Sequence, residues 1–539
     1  MALADIITPL LPFRDHEVKV KAGYYILALV STWLAYQFMR AMWNISPFHP
    51  LSRIPGPKLA AATYLPEFYH NVIRFGRYTQ AIRKMHEVYG PLVRINPDEV
   101  HCNDFRFMDE IYTGGGRKRN KPLHQVSGSA MEFSSFATAD HDLHRLRRAP
   151  VAKFFSKAQL AQLEPLVQRL AQRLCDNMLA QKGTGKPFDI SMAYSCYTAD
   201  AISDYSFGES FGYLDQESWE PNYLQSLNSI LYTIHIFRFF PSLNRISAAS
   251  SWFADYLPED VALAIRTTYI QTTLPNMIKK AQRNMDAGAK RERPTIFAEI
   301  LRSNLPEQEK TIPRLTGQAS ALMGGGTGTT SWALSVITYH LLTQPKLLSK
   351  LTDELRGAVP DPQCLPPWTT LEKLPYLGAV IQEGLRLSYG VSEHTSRVPV
   401  EEDLVYRGEW TPKGSKKSVP LAYIIPRGCA IGMSAALIHH DETLFPDSYA
   451  FVPERWLDDN LERRRELEQH TLAFGKGSRM CLGMNLGLCE LHLGLAAVAL
   501  RVFPHMRLYE TTEEDIRLDY SIIIPMPRPD SKGVRVIIV

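Results

Sequence analysis

Apolar residues dominate one long run near the N-terminus of the chain. From Ala22 to Met39 nearly every residue is apolar, and Gln37 is the one strongly polar side chain. A helix needs about 20 such residues to span a bilayer. The run therefore predicts one transmembrane anchor over residues 22–43, behind a mixed tail at residues 1–21. A cleaved signal peptide is the alternative, but the polar lead and the lack of a small-residue cleavage site directly after the run disfavour it.

Prolines become dense directly after this run. Pro47, Pro50, Pro55 and Pro57 all lie within residues 44–58. Prolines at this density stop a helix and form a stiff, extended spacer. We therefore expect a hinge at residues 44–58 that leads into one large domain at residues 59–539, because no break in composition divides the remainder.

Helical and strand-like patterns alternate through this domain. Apolar alternation closed by turn residues predicts a strand at Tyr89–Pro97, and a long helical pattern extends from about Leu315 to Leu342. Residues 114–139 are rich in Gly, Ser and Lys, which predicts an irregular loop. Shorter strand patterns lie at residues 396–399, 423–428 and 430–434, and residues 521–527 predict a hairpin tip.

Charge and cysteine content narrow the classes of function. The formal net charge of the 539-residue chain is only +4, so nothing points to nucleic acid as the main partner. Its seven cysteines are scattered and none forms a CxxC pair, which disfavours a zinc site or a disulfide framework. Reduced thiols in a domain that faces the cytosol fit this pattern best.

One cysteine lies in an unusual loop near the C-terminus, in the segment Phe474–Gly483. A helical apolar run begins directly after it, and the N-terminus of a helix favours a thiolate. Arg479 and Lys476 add positive charge, and the glycines allow a large flat ligand to approach the backbone. Haem with Cys481 as its axial thiolate would satisfy this arrangement. A structural cysteine in a surface turn is the alternative.

Five positions in this loop, Phe474, Gly477, Arg479, Cys481 and Gly483, match the haem-ligand loop of the cytochrome P450 family. A chance match at five specified positions is rare in a chain of this length. The resemblance implies a mainly α fold with a small β lobe, the cytochrome P450 fold, preceded by the N-terminal transmembrane helix. It also implies heme b as the cofactor, with Cys481 as its axial thiolate and iron ligand.

Two cationic stretches extend the resemblance. The family has Trp or His four residues before an Arg that pairs with a haem propionate, and His144 and Arg148 have this spacing. The histidine favours the fungal-type microsomal members. Taken alone, this basic stretch is more typical of a solvated helical face. Arg397 resembles a second propionate partner by position. The cofactor-binding residues implied by the resemblance are Cys481, Arg479, Arg148, His144, Arg397, Phe474, Gly475, Gly483, Gly325 and Gly326.

The long helical pattern contains the segment Gly324–Thr330, in which four residues are glycine. Each interior glycine costs about 1 kcal/mol relative to alanine, so the helix either breaks there or uses the bare backbone. The family pattern is small-Gly-x-acid-Thr, and it implies that Thr329 assists proton delivery during oxygen activation. Gly328 stands at the acid position. Proton delivery is therefore left to water and to the threonines at 327, 329 and 330.

Glu383 and Arg386 are spaced one helical turn apart within an apolar stretch, which suggests that the pair is buried. A buried pair needs further partners to offset its desolvation. The family joins such a pair to an arginine of a Pro-Glu-Arg-Trp segment, here Arg455. The resemblance thus implies a structural triad that holds the Cys481 loop.

The implied activity is insertion of one oxygen atom from O2, by hydroxylation or epoxidation, into a lipophilic small molecule, with terpenoid or polyketide secondary metabolism as the expected setting. Because no flavin or nicotinamide fingerprint appears, electrons would come from an NADPH-dependent P450 reductase that docks on basic residues. The implied location is the endoplasmic reticulum membrane, with a single span and the catalytic domain in the cytosol. The basic residues considered are Arg145, Arg147, Arg463, Arg464, Arg465 and Lys476.

Two rival functions stay open on the sequence. The missing acid at Gly328 is compatible with an O2-independent haem-thiolate isomerase or dehydratase. A non-enzymatic haem-binding sensor is a second rival. The segment Gly208–Gly212 also matches the G-x-S-x-G elbow of serine hydrolases, which requires a buried strand before Ser210. Residues 202–207 are too polar for that strand, so we do not expect a hydrolase.

Overall fold

The computed structural model describes residues 16–127, 131–243, 272–286 and 293–539. Helices account for most of its ordered elements. The helices of ten or more residues are α1 His16–Ile45, α2 Tyr78–Tyr89, α3 His141–Ala152, α4 Lys157–Leu179, α5 Ile190–Phe207, α6 Tyr223–Tyr232, α7 Leu274–Asp286, α8 Ile312–Thr343, α9 Pro345–Ala358, α10 Pro375–Ser388, α11 Leu461–His470 and α12 Met484–Arg501. Shorter α-helices lie at Lys58–Ala62, Leu65–Phe68, Met108–Ile111, Leu123–Val126, Ile234–Phe239, Ile296–Arg302, Trp368–Leu371 and Ala435–Ile438.

The strands form small sheets beside the helical body. They are β1 Leu92–Asn96, β2 Glu99–Cys102, β3 Arg119–Asn120, β4 Phe188–Asp189, β5 His394–Pro399, β6 Leu404–Trp410, β7 Val419–Ile425, β8 Ala430–Ser434, β9 Met506–Leu508, β10 Tyr520–Ile522, β11 Ile524–Met526 and β12 Arg535–Ile538. The largest sheet has the order β1-β2-β8-β5-β3, and β2 runs parallel to β8. The mainly α fold with a small β lobe is thus confirmed.

Helices α5, α8 and α12 form the centre of the core. Nearly every residue of α5 is buried, and α12 is buried from Leu486 to Ala499 apart from Leu488. A helix that is apolar around its whole circumference has to lie inside a large domain. The long helix α8 packs against both of them, so the glycine-rich segment and the cysteine loop are brought to neighbouring parts of the interior.

Several local predictions are confirmed. The predicted strand at Tyr89–Pro97 is β1, and the glycine-rich helix continues unbroken through its glycines. The predicted hairpin tip is the turn between β10 and β11, where Ile523 has a φ of +76°. The loop predicted at residues 114–139 is mostly irregular but contains β3 and the helix Leu123–Val126, and its residues 128–130 lie outside the described residues.

The segment Gly208–Gly212 does not form a hydrolase elbow, as expected from the polar residues before it. Ser210 follows α5, so a helix stands where the elbow needs a strand. The hydroxyl of Ser210 accepts a hydrogen bond from the backbone N–H of Gly212 at 3.0 Å, which is a local turn contact.

The expected transmembrane helix is not confirmed. None of the helices within the described residues is long and apolar enough to cross a membrane. Helix α1 covers the apolar run, but its tyrosines together with Ser31, Thr32 and Gln37 dilute the hydropathy of the run.

The proline-rich segment docks α1 onto the body. Leu51 and Ile54 are buried, and the backbone N–H of Arg94 donates to the carbonyl of Pro55 at 2.8 Å. The buried Arg94 guanidinium donates to the carbonyls of Asn44 at 2.9 Å and Pro97 at 2.7 Å. These contacts tie the end of α1 to strand β1.

Candidate active site

The loop that carries Cys481 has a defined backbone. The N–H of Cys481 donates to the carbonyl of Phe474 at 2.7 Å, and the N–H of Gly475 donates to the carbonyl of Leu472 at 2.8 Å. Gly477 has a φ of +71°, and a Cβ there would lie 2.3 Å from the carbonyl oxygen of Tyr112. Only glycine fits that position, since any side chain would strike the backbone of the segment that supports the loop.

Cys481 faces an internal cleft. Its side chain is exposed, yet burial within the protein raises the pKa of its thiol, partly offset by the backbone N–H of Gly483 and by Arg148. A coordinated metal ion would deprotonate the thiol outright.

Helix α8 supplies a second surface of this cleft. Gly325 is exposed in the middle of an otherwise buried helical turn, and a Cβ there would have nothing within 4 Å. The hydroxyl of Thr329 donates to the carbonyl of Gly325 at 2.8 Å. Bare backbone and a threonine hydroxyl are therefore presented to the same open space.

The other glycines of α8 serve helix packing. A Cβ at Gly326 would lie 2.8 Å from Cγ1 of Ile202, so this residue allows α5 to approach and is not directed into the cleft as the resemblance implied. A Cβ at Gly328 would lie 3.1 Å from Cδ2 of Leu227. Leu224 and Ile524 also lie within 4.0 Å of that position, so a carboxylate at 328 would have to displace apolar side chains.

Cationic side chains converge at the edge of the cleft. Arg479 lies close enough to Arg397 and Arg148 for their charges to lower its pKa, and His144 is influenced by Arg479, Arg148 and Lys121. Lys121 was missed by the sequence analysis. Its ammonium donates to the carbonyl of Phe136 at 2.6 Å and is affected by Arg397 and Arg479.

Within the described residues, this cluster has more cationic than anionic neighbours. Burial and the neighbouring arginines lower the pKa of Arg479 to about 9, with Asp140 offsetting part of the effect. Burial, followed by the charges of Arg479 and Arg148, lowers the pKa of His144 to about 3. Within the part of the chain that the structure describes, Nε of Arg479 has no hydrogen-bond partner. A ligand with two carboxylates, such as the propionates of haem, would relieve this repulsion, so the residues present fit that group.

The predicted triad is assembled in the core. Both carboxylate oxygens of Glu383 accept from Arg386, at 2.7 and 2.9 Å, and Nε of Arg455 donates to the same carboxylate at 3.0 Å. Glu383 and Arg386 are fully buried. Burial would raise the pKa of Glu383, but Arg386 and Arg455 hold it below its usual value. The backbone N–H of Val452 and the indole of Trp456 complete its hydrogen bonds at 2.9 Å each.

His439 connects this triad to the cysteine loop. Its Nδ1 donates to the carbonyl of Arg386 at 2.7 Å, and its Nε2 accepts from the N–H of Leu472 at 2.8 Å. Burial lowers the pKa of His439 to about 3, so the ring is neutral and holds this tautomer. The two partners are 53 and 33 residues away in sequence, so no local pattern could have revealed the contact.

The basic residues expected to dock a reductase are not all free. Arg147 makes a bidentate contact with Glu309 at 2.7 and 2.9 Å and is largely buried, so its inclusion in a docking surface was wrong. Lys476 contacts Asp109 at 2.5 Å. Arg145 and Arg465 are exposed.

Comparison with known proteins identifies relatives along the chain. A model of the family described as "Cytochrome P450" matches residues 62–524. The chain is 42% identical over 453 residues to cytochrome P450 monooxygenase ppzE of Metarhizium majus, which covers 81% of this chain and 92% of the relative. It is 37% identical over 492 residues to conidiogenone synthase PchP450 of Penicillium rubens, covering 91% of this chain and 94% of the relative.

A third relative, N-acetyltryptophan 6-hydroxylase ivoC of Emericella nidulans, is 35% identical over 491 residues and covers 90% of this chain and 92% of its own length. These matches extend over most of both chains, and the fold and the cleft agree with them. The chain therefore belongs to the cytochrome P450 family and is a haem-thiolate monooxygenase.

Proposed function

We propose that α8 and the cysteine loop would hold the haem between them, with the Cys481 thiolate as the group that would bind its iron. The observation that carries this proposal is that Cys481, just before α12, and Gly325, on α8, are both solvent-accessible although α8 and α12 pack against each other in the core. The cationic cluster of Lys121, His144, Arg148, Arg397 and Arg479 would hold the propionates. Once bound, the haem supplies the activation of O2 from which one oxygen atom enters the substrate.

The residues around the cleft would have different roles in the reaction. Cys481 would provide electron density from one side, while the bare backbone at Gly325 leaves room for O2 and water on the other. Thr329 would turn its hydroxyl away from the Gly325 carbonyl to hold or pass a proton in the cleft. Leu224, Leu227 and Ile524 would exclude bulk water from the substrate side.

Replacing Thr329 by valine is expected to uncouple turnover. The variant lacks the hydroxyl that positions a proton, so product formed per NADPH should fall roughly tenfold or more while hydrogen peroxide rises. The assay uses purified enzyme with a P450 reductase and a lipophilic compound chosen by its spin-state shift.

Thr343→Val is the matched control for this measurement. Thr343 lies on the same helix and its hydroxyl makes the same contact one turn back, to the carbonyl of Tyr339 at 2.9 Å. It should leave coupling unchanged. Equal coupling in wild type and Thr329→Val would remove Thr329 from proton delivery. Product formation without NADPH and O2 would instead favour the isomerase or dehydratase alternative.

We further propose an apolar substrate from secondary metabolism, such as a terpenoid or polyketide. The apolar side chains of α6 and the β10–β11 tip beside Gly328 support an apolar pocket. The relative named conidiogenone synthase supports a biosynthetic role.

We propose that α1 carries a cytosolic domain at residues 59–539 on the endoplasmic reticulum membrane, as a single-pass anchor over residues 22–43. Its apolar side chains are exposed, among them Leu29 at 70% and Phe38 at 68%. A second apolar surface lies on the body, where Phe68 packs against Phe239 and Phe240 at centroid distances of 5.2 and 6.1 Å. Exposed patches of this kind are typical of membrane contact. The second surface includes Leu65, Tyr69, Ile73, Leu123, Ile236 and Phe240.

Deleting residues 2–45 is expected to release most of the enzyme from microsomes. Full-length chain should stay in the pellet after alkaline carbonate extraction, because an apolar helix of this length resists it. The deletion variant should move to the supernatant, or bind weakly through its second apolar surface. Deletion of residues 2–15 is the control and should remain in the pellet. Full-length enzyme that carbonate extracts completely would contradict the anchor.

We propose an NADPH-dependent P450 reductase as the electron donor. Exposed Arg145 on α3 and Arg465 on α11 support an attractive surface for an acidic partner. Arg148, on the same helix as Arg145, donates to the carbonyl of Met480 at 2.9 Å, so α3 lies next to the cysteine loop.

A further inference from the structure

Two short helices on the side of the second apolar surface bury little apolar area. These outer helices, Leu123–Val126 and Ile234–Phe239, contact each other. None of the residues of the first is buried, and the second buries Ile234, His235 and Arg238. Their exposed apolar side chains belong to the second apolar surface. A helix held by core packing buries its apolar face, so polar contacts have to hold these two.

The first outer helix is attached to the largest sheet through two buried carboxylates. Nε2 of His124 donates to the carboxylate of Glu67 at 2.9 Å, and the amide of Gln125 donates to that of Glu99 at 2.9 Å. The amide of Asn96, on β1, donates to both carboxylates at 3.0 Å. These contacts hold the helix against β1 and β2 by hydrogen bonds to negative charge.

The second outer helix is attached through a third buried carboxylate. Arg238 donates to the carboxylate of Glu393 through Nη2 at 2.9 Å, and His235 donates to the carbonyl of Ser521 at 2.9 Å. The backbone N–H of Ile523 donates to the same carboxylate at 2.8 Å. Within the described residues, Nε and Nη1 of Arg238 have no hydrogen-bond partner. The attached form therefore leaves part of a buried guanidinium unsatisfied, which limits its stability.

The charge of this cluster depends on one more histidine. Nε2 of His394 lies 3.4 Å from the carboxylate of Glu99. Burial alone would lower the pKa of His394, but Glu99, Glu67 and Glu393 raise it above its ordinary value. Burial alone would raise the pKa of each carboxyl group, but neighbouring histidines and Arg238 hold them below their ordinary values. Three carboxylates are thus opposed by Arg238 and a protonated His394.

Other titratable groups around His394 keep their charge state above neutral pH. Burial lowers the pKa of His101 and of His235, so both rings are neutral, and burial raises the pKa of Tyr78. The rings of His101 and Tyr78 each lie 6.4 Å from the ring of His394. The titratable groups that face the cluster from the packed elements are Tyr64, Tyr78, His86, Asp98, His101, His124 and His235.

We propose that this cluster is an ionic latch, which holds the outer helices on the body and releases them when His394 gives its proton to solvent. Within the described residues, Arg238 is then the one permanent cation that contacts the three carboxylates. Buried carboxylates without counterions are costly, so the attached form loses stability. A histidine whose pKa is raised in one form stabilises that form at low pH and stops doing so as pH rises through the raised value. The latch therefore weakens above about pH 7.

Release of the latch would affect the substrate side of the cleft. Glu393 holds the backbone of Ile523 at the β10–β11 tip, and the next residue, Ile524, lies within 4.0 Å of the Cβ position of Gly328 on α8. Movement of the outer helices would thus open a path between the second apolar surface and the cleft. This role rests on the proposed binding of an apolar substrate in the cleft.

Stopped-flow binding to the full-length holoenzyme in phosphatidylcholine nanodiscs tests the latch. The probe is clotrimazole, an apolar imidazole whose binding to haem iron shifts the Soret band. Its association and dissociation rate constants should both rise at least threefold between pH 7 and pH 9. Its Kd should change less than twofold, because a latch controls passage and makes no contact with the bound ligand. Rates that do not depend on pH, or an effect carried by Kd, would overturn the proposal.

Three variants identify the group that titrates. His394→Gln should bind and release clotrimazole fast at pH 7 and show no further rise, because it lacks the charge. His394→Lys should stay slow up to pH 9, because its ammonium keeps the charge beside the carboxylates. His492→Gln, at a buried histidine of α12, is the control and should keep the wild-type profile. A wild-type profile in His394→Gln would remove His394 from the latch.

Backbone hydrogen exchange of the wild type decides the question without a ligand or a variant. Peptides covering residues 120–127 and 233–240 should lose protection between pH 7 and pH 9, after correction for the intrinsic exchange rate. Unchanged protection would overturn the latch. If the reduced-CO band is present while rates and protection do not depend on pH, only the latch is wrong. A missing band would contradict the haem site instead, and the exchange result would still decide the latch.

Discussion

Glu383→Gln is expected to destabilise the protein by about 3–5 kcal/mol, the range measured when one partner of a buried ion pair is removed. Glutamine has the shape of glutamate but presents an amide N–H2 where Arg386 and Arg455 need an acceptor. The fully buried Arg386 guanidinium would then keep its charge without a counterion. Three further contacts, from Val452, Arg455 and Trp456, would also weaken.

The effect should reach the cysteine loop. Arg386 supports His439 through its carbonyl, and His439 holds the backbone of Leu472 at the start of the loop. We therefore expect Glu383→Gln to lower the midpoint of thermal unfolding and to lose haem during desalting.

Glu454→Gln is the matched control for this prediction. It lies in the same segment as Arg455, but its ion pair with Lys350 is 42% and 56% exposed, so its loss should cost at most about 1 kcal/mol. Similar stability of the two variants would show that the triad does not hold the loop.

Contacts within one element or one loop were predictable from the chain. The pair at Glu383 and Arg386 is one helical turn apart, and the cysteine loop is a continuous segment, so their residue types and spacing carry the signal. The long helix α8 was predictable from its apolar pattern. Its glycines have low helix propensity, but the packing of α5 and α12 against α8 compensates for it.

Contacts between distant segments were not predictable. Lys121 joins the cationic cluster only because the segment before α3 folds back toward Arg397 and Arg479. The packing role of Gly326 was not predictable either, because its neighbour Ile202 lies on another helix. The transmembrane prediction is unconfirmed for a different reason. A run can look apolar while its tyrosines, serine, threonine and glutamine reduce its mean hydropathy.

Cys481→Ser is expected to abolish monooxygenase activity while leaving most of the fold intact. Serine has nearly the size of cysteine, and the loop is held by its backbone hydrogen bonds and by the triad. The cationic cluster should still retain some haem through its propionates. A serine oxygen cannot donate electron density as a thiolate sulfur does, so oxygen activation fails. Cys489→Ala is the control, because it removes a buried thiol from the adjoining helix without touching the cleft.

The reduced-CO difference spectrum of the wild type and Cys481→Ser tests the central claim most directly. The wild type and Cys489→Ala should both show the red-shifted band of a thiolate-ligated haem, and Cys481→Ser should lack it. A wild type without that band, or a Cys481→Ser variant that keeps it, would contradict Cys481 as the axial ligand.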